Sequence, residues 1–196
     1  MGFCRFSLPY LKRAFDVVLS VCLIVCFFWL FLVVGVLVKM SSPGPFIFWS
    51  KRVGRDGCIF AMPKFRTMRT DAPVVATDLL AESDRYITPV GSFLRKSSLD
   101  ELPQIFSVLM GDMSFVGPRP ALETQLQLTE KRLRHGVLSV RPGITGWAQI
   151  NGRDTLCDAE KVEMDCYYIA NRSFSFDFMI LVRTLVKVTG DRDVHH

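Results

Sequence analysis

Two adjacent carboxylates stand at a predicted helix start within Arg95-Lys96-Ser97-Ser98-Leu99-Asp100-Glu101-Leu102-Pro103-Gln104. Ser98 and Glu101 fit the S-x-x-E capping box, and acidic residues are favoured near the positive end of a helix. With Asp100 as the N-cap, Pro103 falls at the third helical position, where a missing N–H costs nothing. The local sequence therefore supports a structural cap, and it leaves open whether the two carboxylates also carry chemistry.

The residues that follow this segment predict an amphipathic helix. Apolar residues recur at helical spacing and are expected to bury one face, namely Leu99, Leu102, Ile105, Phe106 and Leu109. Gly111 is expected to end the helix as a C-cap.

Composition indicates a membrane-associated class. The 196 residues are 49% hydrophobic with a mean hydropathy of +0.27, and soluble domains seldom run so apolar. Up to Thr70 there are ten Lys and Arg against two acids, so this part carries a net charge of +8. The remainder carries −3, which gives the total net charge of +5. A basic segment beside an apolar one suits anionic headgroups or a phosphate-bearing substrate. No nucleic acid is expected as a partner, because no recognisable binding motif occurs.

Residues 17–38 form an uncharged apolar run that predicts a membrane anchor. A helix of this length rises ~33 Å, enough for a hydrocarbon core of ~30 Å. Both flanks are basic, with Lys12 and Arg13 before the run and Lys39 and Lys51 after it. Composition favours a spanning helix, but symmetric flanks would also let both ends lie on the cytoplasmic side, as in a re-entrant helix.

A β-hairpin is predicted after the anchor, from two β-rich runs at residues 46–53 and 58–62 around Gly54-Arg55-Asp56-Gly57. Lys64 and Arg66 follow directly, and their spacing fits either a solvated face or an anion site. Residues 71–92 are expected to be loops around a short helix.

The second half of the chain predicts helices joined by two arginine-containing loops. Arg119 lies between two prolines on a stiff, non-helical backbone, and residues 121–138 predict a polar helix. The loop at 141–153 has three glycines with an arginine at each end, so it is either a phosphate cradle or a tight structural loop. Helices are also predicted at 157–170 and 174–188, the latter short, apolar and suited to packing or to a membrane interface.

Five segments in order give the chain a resemblance to a known family. They are Lys12-Arg13-Ala14-Phe15-Asp16, Lys64-Phe65-Arg66-Thr67-Met68, Ser98-Leu99-Asp100-Glu101-Leu102-Pro103-Gln104, residues 111–120 and residues 141–153. Together they resemble the bacterial sugar transferases called monotopic phosphoglycosyl transferases, over residues 12–188. The expected fold is α+β and mainly helical. Residues 1–40 would hold a membrane-embedded, re-entrant helix. Residues 41–190 would form the helical catalytic domain, with a small β-hairpin and interfacial amphipathic helices, and residues 191–196 would be a tail.

The resemblance implies a reaction and roles for particular residues. Such enzymes move a sugar phosphate from a UDP-sugar, here expected to be N-acetylated, to polyprenyl phosphate and release UMP, the first membrane step of glycoconjugate assembly. Asp100 would be the nucleophile that forms a covalent phosphosugar intermediate, and Glu101 would bind Mg²⁺. Phosphate or substrate contacts are implied for Arg95, Arg119, Arg153, Lys64 and Arg66. The catalytic domain would lie on the cytoplasmic face of the bacterial inner membrane.

Physical chemistry adds two expectations to this resemblance. The helix start and Arg95 should favour the ionised form of Asp100, which is the nucleophilic form. Repulsion between a carboxylate and a diphosphate costs several kcal/mol in a partly dry site, so Mg²⁺, a helix N-terminus and arginines are needed to offset it.

One departure from the family and two competing functions accompany this interpretation. Family members break the apolar helix with a Ser-Pro pair, whereas the matching position here is Phe28-Trp29 and the run contains no proline. The competing functions are a membrane-tethered adaptor that binds anions without chemistry, and a conventional glycosyltransferase that would release UDP.

Overall fold

The computed structural model describes residues 8–72, 83–152 and 156–190. Its helices are α1 (Leu8–Cys26), α2 (Phe28–Ser41), α3 (Ser83–Tyr86), α4 (Pro89–Lys96), α5 (Gln104–Met110), α6 (Leu126–Arg134), α7 (Trp147–Asn151), α8 (Asp158–Asn171) and α9 (Phe174–Gly190). Its strands are β1 (Ile47–Val53), β2 (Ile59–Phe65), β3 (Ser114–Val116) and β4 (Gly143–Thr145). The predicted mainly helical α+β class with a small hairpin is confirmed. The tail at 191–196 lies outside the described residues.

The apolar N-terminal run is broken, not continuous. Helices α1 and α2 meet at a 64° bend, and Phe27 between them departs from helical geometry with φ −99° and ψ 11°. The structure does not form the continuous helix that composition alone favours over residues 17–38. The break that the resemblance implies is present, and it lies beside Phe28-Trp29. In the described part of the chain no single helix is long and apolar enough to cross a bilayer, although the bent pair together meets that test of length and composition.

Packing accounts for a bend that no proline imposes. Leu19 and Leu23 of α1 pack on a core centred on Val108 and Met113. Helix α2 instead buries Val34 and Val38 in a second cluster with Phe65 and Leu94. The bend lets each helix direct its apolar residues towards a different cluster, while Phe31 of α2 packs against both. A hydroxyl bond from Ser20 to the carbonyl oxygen of Asp16 is a further feature that bends helices.

The hairpin positions one cation of the site. Strands β1 and β2 are antiparallel, with Ile47 opposite Phe65 and Val53 opposite Ile59, which confirms the predicted hairpin. Its turn requires left-handed backbone at Asp56 and Gly57, with φ of 55° and 78°. Lys64 consequently lies at the end of the hairpin opposite to the turn.

Strands β3 and β4 bring the two arginine-containing loops side by side. They pair in parallel, with Ser114 opposite Gly143 and Val116 opposite Thr145. The loops pack so closely that a Cβ on Gly146 would lie 2.1 Å from the carbonyl oxygen of Gly117. Glycine is required here by contact between backbones.

The predicted helix over residues 121–138 is wrong in its extent. Helix α6 begins only at Leu126, because the preceding segment bonds to the hairpin edge, where Val53 donates to the carbonyl oxygen of Ala121 over 2.9 Å. Left-handed Gly136, with φ 69°, follows its end. The predicted helices at 157–170 and 174–188 are confirmed as α8 and α9.

Candidate active site

The two carboxylates lie in a 3₁₀ turn, Leu99–Glu101, between α4 and α5. Ser98 before the turn is left-handed with φ 56°, and its side chain makes no capping hydrogen bond. Helix α5 begins at Gln104 and ends at left-handed Gly111, as the sequence predicts for its C-cap. The predicted capping box and the N-cap role of Asp100 are wrong, because the Glu101 carboxylate is turned towards cations instead of the backbone.

The prediction of which helix face is buried is only partly right. Ile105 is buried, but Phe106 is exposed, and its neighbours Gln104, Ser107 and Val108 occupy the buried side. Leu99 and Leu102 precede α5, which begins at Gln104, so the five predicted residues do not share one face of one helix.

Glu101 is held by two cations from distant elements. Its Oε1 accepts from Lys64 Nζ over 2.8 Å and from Arg119 Nη2 over 2.7 Å. Burial alone would raise the pKa of this carboxyl, but the charges and hydrogen bonds of Arg119 and Lys64 outweigh burial and hold it well below its usual range. Glu101 therefore carries a fixed negative charge at any physiological pH.

Asp100 is buried but not paired in the same way. It is 8% exposed, and the described residues donate no hydrogen bond to its carboxylate. Burial raises its pKa above 3.8, Glu101 adds to the rise, and the charges of Lys64, Arg95 and Arg119 offset it only in part. We expected the local environment to favour the ionised form of Asp100, and this is wrong, because the net effect is a raised pKa. The charge of Arg95 alone does lower the pKa, as expected.

Three of the predicted cations converge on the carboxylate pair. Lys64 and Arg119 contact Glu101, while Arg95 donates from Nε to Thr67 Oγ1 over 2.9 Å and its charge acts on Asp100. Arg66 does not join them, since its guanidinium lies beside Gly44, where a Cβ would be 2.7 Å from Nη1. Arg153 lies outside the described residues.

Arg52 also belongs to the site, although the sequence does not single it out. Arg52 donates from Nη1 to the carbonyl oxygen of Pro120 over 3.1 Å. Burial first, and then the charge of Arg119, lower its pKa to about 10, so it remains cationic at neutral pH.

A buried ion pair fixes the backbone that carries Arg119. Arg132 donates from Nη1 to the carbonyl oxygen of Arg119 over 2.7 Å, and its Nη2 lies 2.7 Å from Asp165 Oδ2. Both side chains are almost fully enclosed, at 5% and 2% exposed. Thirty-three residues separate the partners, so no local pattern could have predicted the pair.

The glycine loop at 141–153 is built for close packing. Gly143 donates its N–H to the carbonyl oxygen of Pro118 over 2.9 Å, and Gly152 donates to Ala148 over 3.1 Å. These two N–H groups already have backbone partners, so close packing accounts for these two glycines. Arg141 at its start donates to the carbonyl oxygen of Gly111 instead of facing the carboxylates.

The donor set of the carboxylate pair fits Mg²⁺ in one particular way. The described ranges contain no group of three or more His, Cys, Asp or Glu side chains that could hold a metal ion. Mg²⁺ commonly binds through one or two carboxylates and completes its shell with waters and substrate phosphates. Both cations contact Oε1 of Glu101, so Oε2 is the donor that Glu101 offers to a metal ion bound in this way and not in an all-protein cage.

Comparison with known proteins identifies related sequences. The family model described as Bacterial sugar transferase matches residues 8–191. The chain is 44% identical over 179 residues to the "Uncharacterized sugar transferase EpsL" of Bacillus subtilis, covering 91% of this chain and 87% of that protein. It is 44% identical over 187 residues to the UDP-glucose:undecaprenyl-phosphate glucose-1-phosphate transferase of Escherichia coli, covering 90% of this chain but 40% of that protein.

A third relative bears a different substrate name. The chain is 38% identical over 185 residues to the UDP-N-acetylgalactosamine-undecaprenyl-phosphate N-acetylgalactosaminephosphotransferase of Aeromonas hydrophila. That match covers 90% of this chain and 43% of the relative.

Proposed function

The chain belongs to the bacterial sugar transferase family, and on that premise we propose that it transfers a sugar phosphate from a UDP-sugar to polyprenyl phosphate. The products are polyprenyl-diphosphate sugar and UMP. The names of the Escherichia coli and Aeromonas hydrophila relatives support a nucleotide-sugar donor and an undecaprenyl-phosphate acceptor.

The observation that carries the proposal is the contrast within the carboxylate pair. Glu101 is fixed by Lys64 and Arg119, while Asp100 is buried beside the same cations and accepts no hydrogen bond from the described residues. A carboxylate that is short of hydrogen bonds and has a raised pKa is a more basic, less solvated nucleophile. Nearby cations can at the same time attract the diphosphate that it attacks.

We propose two displacements at one phosphorus atom. An oxygen of Asp100 attacks the phosphorus that bears the sugar, the bond from that phosphorus to the bridging oxygen breaks, and UMP leaves with that oxygen. The result is an aspartyl phosphosugar. A phosphate oxygen of polyprenyl phosphate then attacks the same phosphorus, the bond to Asp100 breaks, and the free carboxylate returns. No redox partner is needed, and no net proton is consumed.

In this proposal the remaining residues of the site neutralise negative charge and hold the reacting groups in position. Glu101 would hold Mg²⁺, which when bound supplies charge neutralisation for the diphosphate oxygens. Lys64 keeps Glu101 in position, Arg119 faces both Glu101 and the incoming phosphate, and Arg95 stabilises charge near Asp100. Arg153 keeps its proposed phosphate contact from the family resemblance alone.

We propose that α1 and α2 form a re-entrant anchor in the inner membrane, with the catalytic residues on the cytoplasmic face. The bent pair leaves large apolar side chains exposed, including Val25, Trp29 and Val36 at 70%, 74% and 58%. Contiguous apolar surface of this kind marks a membrane or partner site. Basic residues at both ends of the pair support a cytoplasmic position for each end. Exposed Phe178, Val182 and Leu185 on α9 suit an interfacial helix.

Product identity tests the reaction class. The full chain is incubated with Mg²⁺, undecaprenyl phosphate and a panel of UDP-sugars that begins with N-acetylated sugars, the donors we propose, and continues to glucose and galactose. We expect UMP to form in equal amount to lipid-linked sugar with one of the donors. Release of UDP would instead identify a conventional glycosyltransferase. Absence of any nucleotide product across the panel would favour the anion-binding adaptor.

A further inference from the structure

We propose that a basic cavity at the C-terminal end of α5 binds the phosphate group of an anionic phospholipid, separately from the carboxylate pair. The cavity encloses about 190 Å³. Five cations and one carboxylate line it, namely Lys12, Arg13, Arg55, Arg141, Arg172 and Asp16. These residues come from α1, from the hairpin turn, from the loop before β4 and from the end of α8, so the cavity is a junction of four parts of the chain.

Two cations of this basic cavity are paired with acids: Lys12 Nζ lies 2.6 Å from Asp177 Oδ2, and Arg55 Nε lies 3.1 Å from Asp56 Oδ2. Arg13 and Arg141 have backbone partners instead. Arg13 donates to the carbonyl oxygens of Val108 and Leu109, and Arg141 donates to that of Gly111. Such contacts suit the negative end of a helix but leave a full positive charge on each guanidinium. Burial lowers the pKa of Arg141, and the like charges of Arg13 and Arg55 lower it further. An anion in the cavity would relieve this repulsion.

Helix capping explains part of this arrangement but not the open space. A guanidinium has five N–H donors, and the capping contacts use one or two of them on each arginine. A cavity of 190 Å³ exceeds the volume of one water, ~30 Å³, several-fold. There is accordingly room and donor capacity for a phosphate group.

The basic cavity is distinct from the carboxylate pair. Arg13 and Arg141 contact the C-terminal end of α5, whereas Asp100 and Glu101 precede its N-terminal end, and a seven-residue helix rises roughly 10 Å. Arg55 lies in the hairpin turn, and the strand from Ile59 to Lys64 adds a separation of about 17 Å. A single diphosphate therefore does not reach both places.

A narrow aromatic cleft of about 10 Å³ lies beside the cavity and marks the side on which apolar surface begins. This cleft shares Lys12 and Asp16 with the basic cavity and is also lined by Phe15, Phe174 and Phe178. Phe15 and Phe174 meet edge to face with 5.4 Å between ring centroids. A phosphate site next to aromatic rings, at the basic start of an apolar helix, fits a phospholipid headgroup with its chains leading away.

The test uses the full chain in an uncharged detergent and follows its thermal unfolding midpoint. The ligands are inorganic phosphate and short-chain phosphatidylglycerol, with short-chain phosphatidylcholine and sodium chloride of equal ionic strength as controls. The test variant is Arg55→Gln with Arg172→Gln, because both residues are exposed and neither contacts the carboxylate pair. Arg134→Gln, an exposed residue of α6, is the control for loss of a surface charge away from the cavity.

We expect phosphatidylglycerol to raise the unfolding midpoint of the original chain and of Arg134→Gln equally. The double variant should need about tenfold more lipid for half the effect, because it loses charge-assisted hydrogen bonds to the phosphate. A parallel response to inorganic phosphate would mean that a free phosphate suffices, and a response to the lipid alone would support the headgroup.

Three outcomes would overturn the proposal. They are equal responses in the double variant and the original chain, equal effects of phosphatidylcholine and phosphatidylglycerol, and a response that is lost in Arg119→Gln but kept in the double variant. The last result would mean that the anion binds beside the carboxylate pair and not in the basic cavity. Because the readout is unfolding and not sugar transfer, failure here is distinguishable from failure of the proposed reaction.

Discussion

Asp100 and Glu101 are adjacent in the chain but have opposite electrostatic environments. Oε1 of Glu101 lies within 2.8 Å of two cationic nitrogens, whereas the described residues donate no hydrogen bond to the carboxylate of Asp100. The pKa of Glu101 is accordingly lowered and that of Asp100 is raised. The ionised carboxylate of Glu101 therefore stabilises the fold, whereas ionisation of Asp100 lowers the stability of the fold.

The first prediction is that neutral isosteres at these two positions change stability in opposite directions. A lowered pKa gives Glu101 a stabilising contribution that is present above its unfolded pKa and is lost as pH falls through its folded pKa. A raised pKa means that stability from Asp100 falls as pH rises from its unfolded to its folded pKa, so its charge destabilises the fold at neutral pH. At pH 7 Glu101→Gln should lose about 2–3 kcal/mol, a low value for a buried pair because Arg119 is partly exposed.

Asp100→Asn should raise the unfolding midpoint at pH 7, and its advantage should shrink as pH falls. Thermal unfolding of both variants and the original chain in one detergent, at pH 7 and at pH 5, checks both signs. Destabilisation by Asp100→Asn at pH 7 would contradict the inferred environment of Asp100.

The second prediction concerns the pH dependence of transfer. The attacking form of Asp100 is the carboxylate, and burial raises its pKa above 3.8. The value of kcat/KM should therefore fall on the acidic side at a pH above that at which an ordinary aspartate titrates, since this ratio reports ionisations of the free enzyme. Initial rates across pH, with activity rechecked at pH 7 to exclude acid inactivation, provide the measurement. A rate that stays level down to pH 4 would be incompatible with a raised pKa of the nucleophile.

The third prediction is that Arg132 is a positioning residue for Arg119. Arg132→Met should lose roughly 3–5 kcal/mol of stability, because Asp165 is left as an unpaired buried charge. The double change Arg132→Met with Asp165→Met should recover much of that stability, since apolar residues can replace a buried pair. It should nevertheless keep a ten- to hundredfold loss of kcat/KM, on the order expected when a substrate contact is displaced.

Arg132→Lys separates charge from geometry in the same series. Lysine keeps the charge beside Asp165 but lacks the planar fork that bonds both Asp165 and the carbonyl oxygen of Arg119. We expect a folded enzyme with an intermediate loss of activity. Full activity in the folded double variant would show that Arg132 has a structural role only.

The fourth prediction concerns the topology of α1 and α2. Two variants are made, each with one cysteine: one carries it in place of Arg5, and the other keeps only the native Cys58, which is exposed. Each is labelled with a membrane-impermeant reagent in intact spheroplasts. A re-entrant anchor places both thiols on the cytoplasmic side, so neither should react until the membrane is permeabilised. Labelling of residue 5 alone in intact spheroplasts would indicate a spanning helix.

Local sequence predicted those parts of the fold that local chemistry determines. The hairpin follows from β-rich runs around Gly54-Arg55-Asp56-Gly57, and Gly111 ends α5 because glycine readily adopts left-handed backbone. The resemblance implies that Lys64 and Arg119 contact phosphate or substrate, but it does not predict that both bond to Glu101. In isolation, the cations around Lys64 fit a solvated face equally well.

Tertiary packing determines what the sequence did not predict. The bend at Phe27 depends on two separate core clusters, and no residue at the bend would impose it alone. The capping box was predicted from Ser98 and Glu101, but Glu101 bonds to cations that lie 37 and 18 residues away. The contact of Arg132 with Asp165 likewise depends on how α6 and α8 pack.

Trapping of the covalent adduct tests the central assignment most directly. The full chain is incubated with its UDP-sugar and Mg²⁺ in the absence of polyprenyl phosphate, and its intact mass and released nucleotide are measured. We predict a mass increase of one sugar phosphate on Asp100, one equivalent of UMP, and loss of both in Asp100→Asn. An adduct that persists in Asp100→Asn, or undiminished turnover by that variant, would contradict the role of Asp100 as the nucleophile.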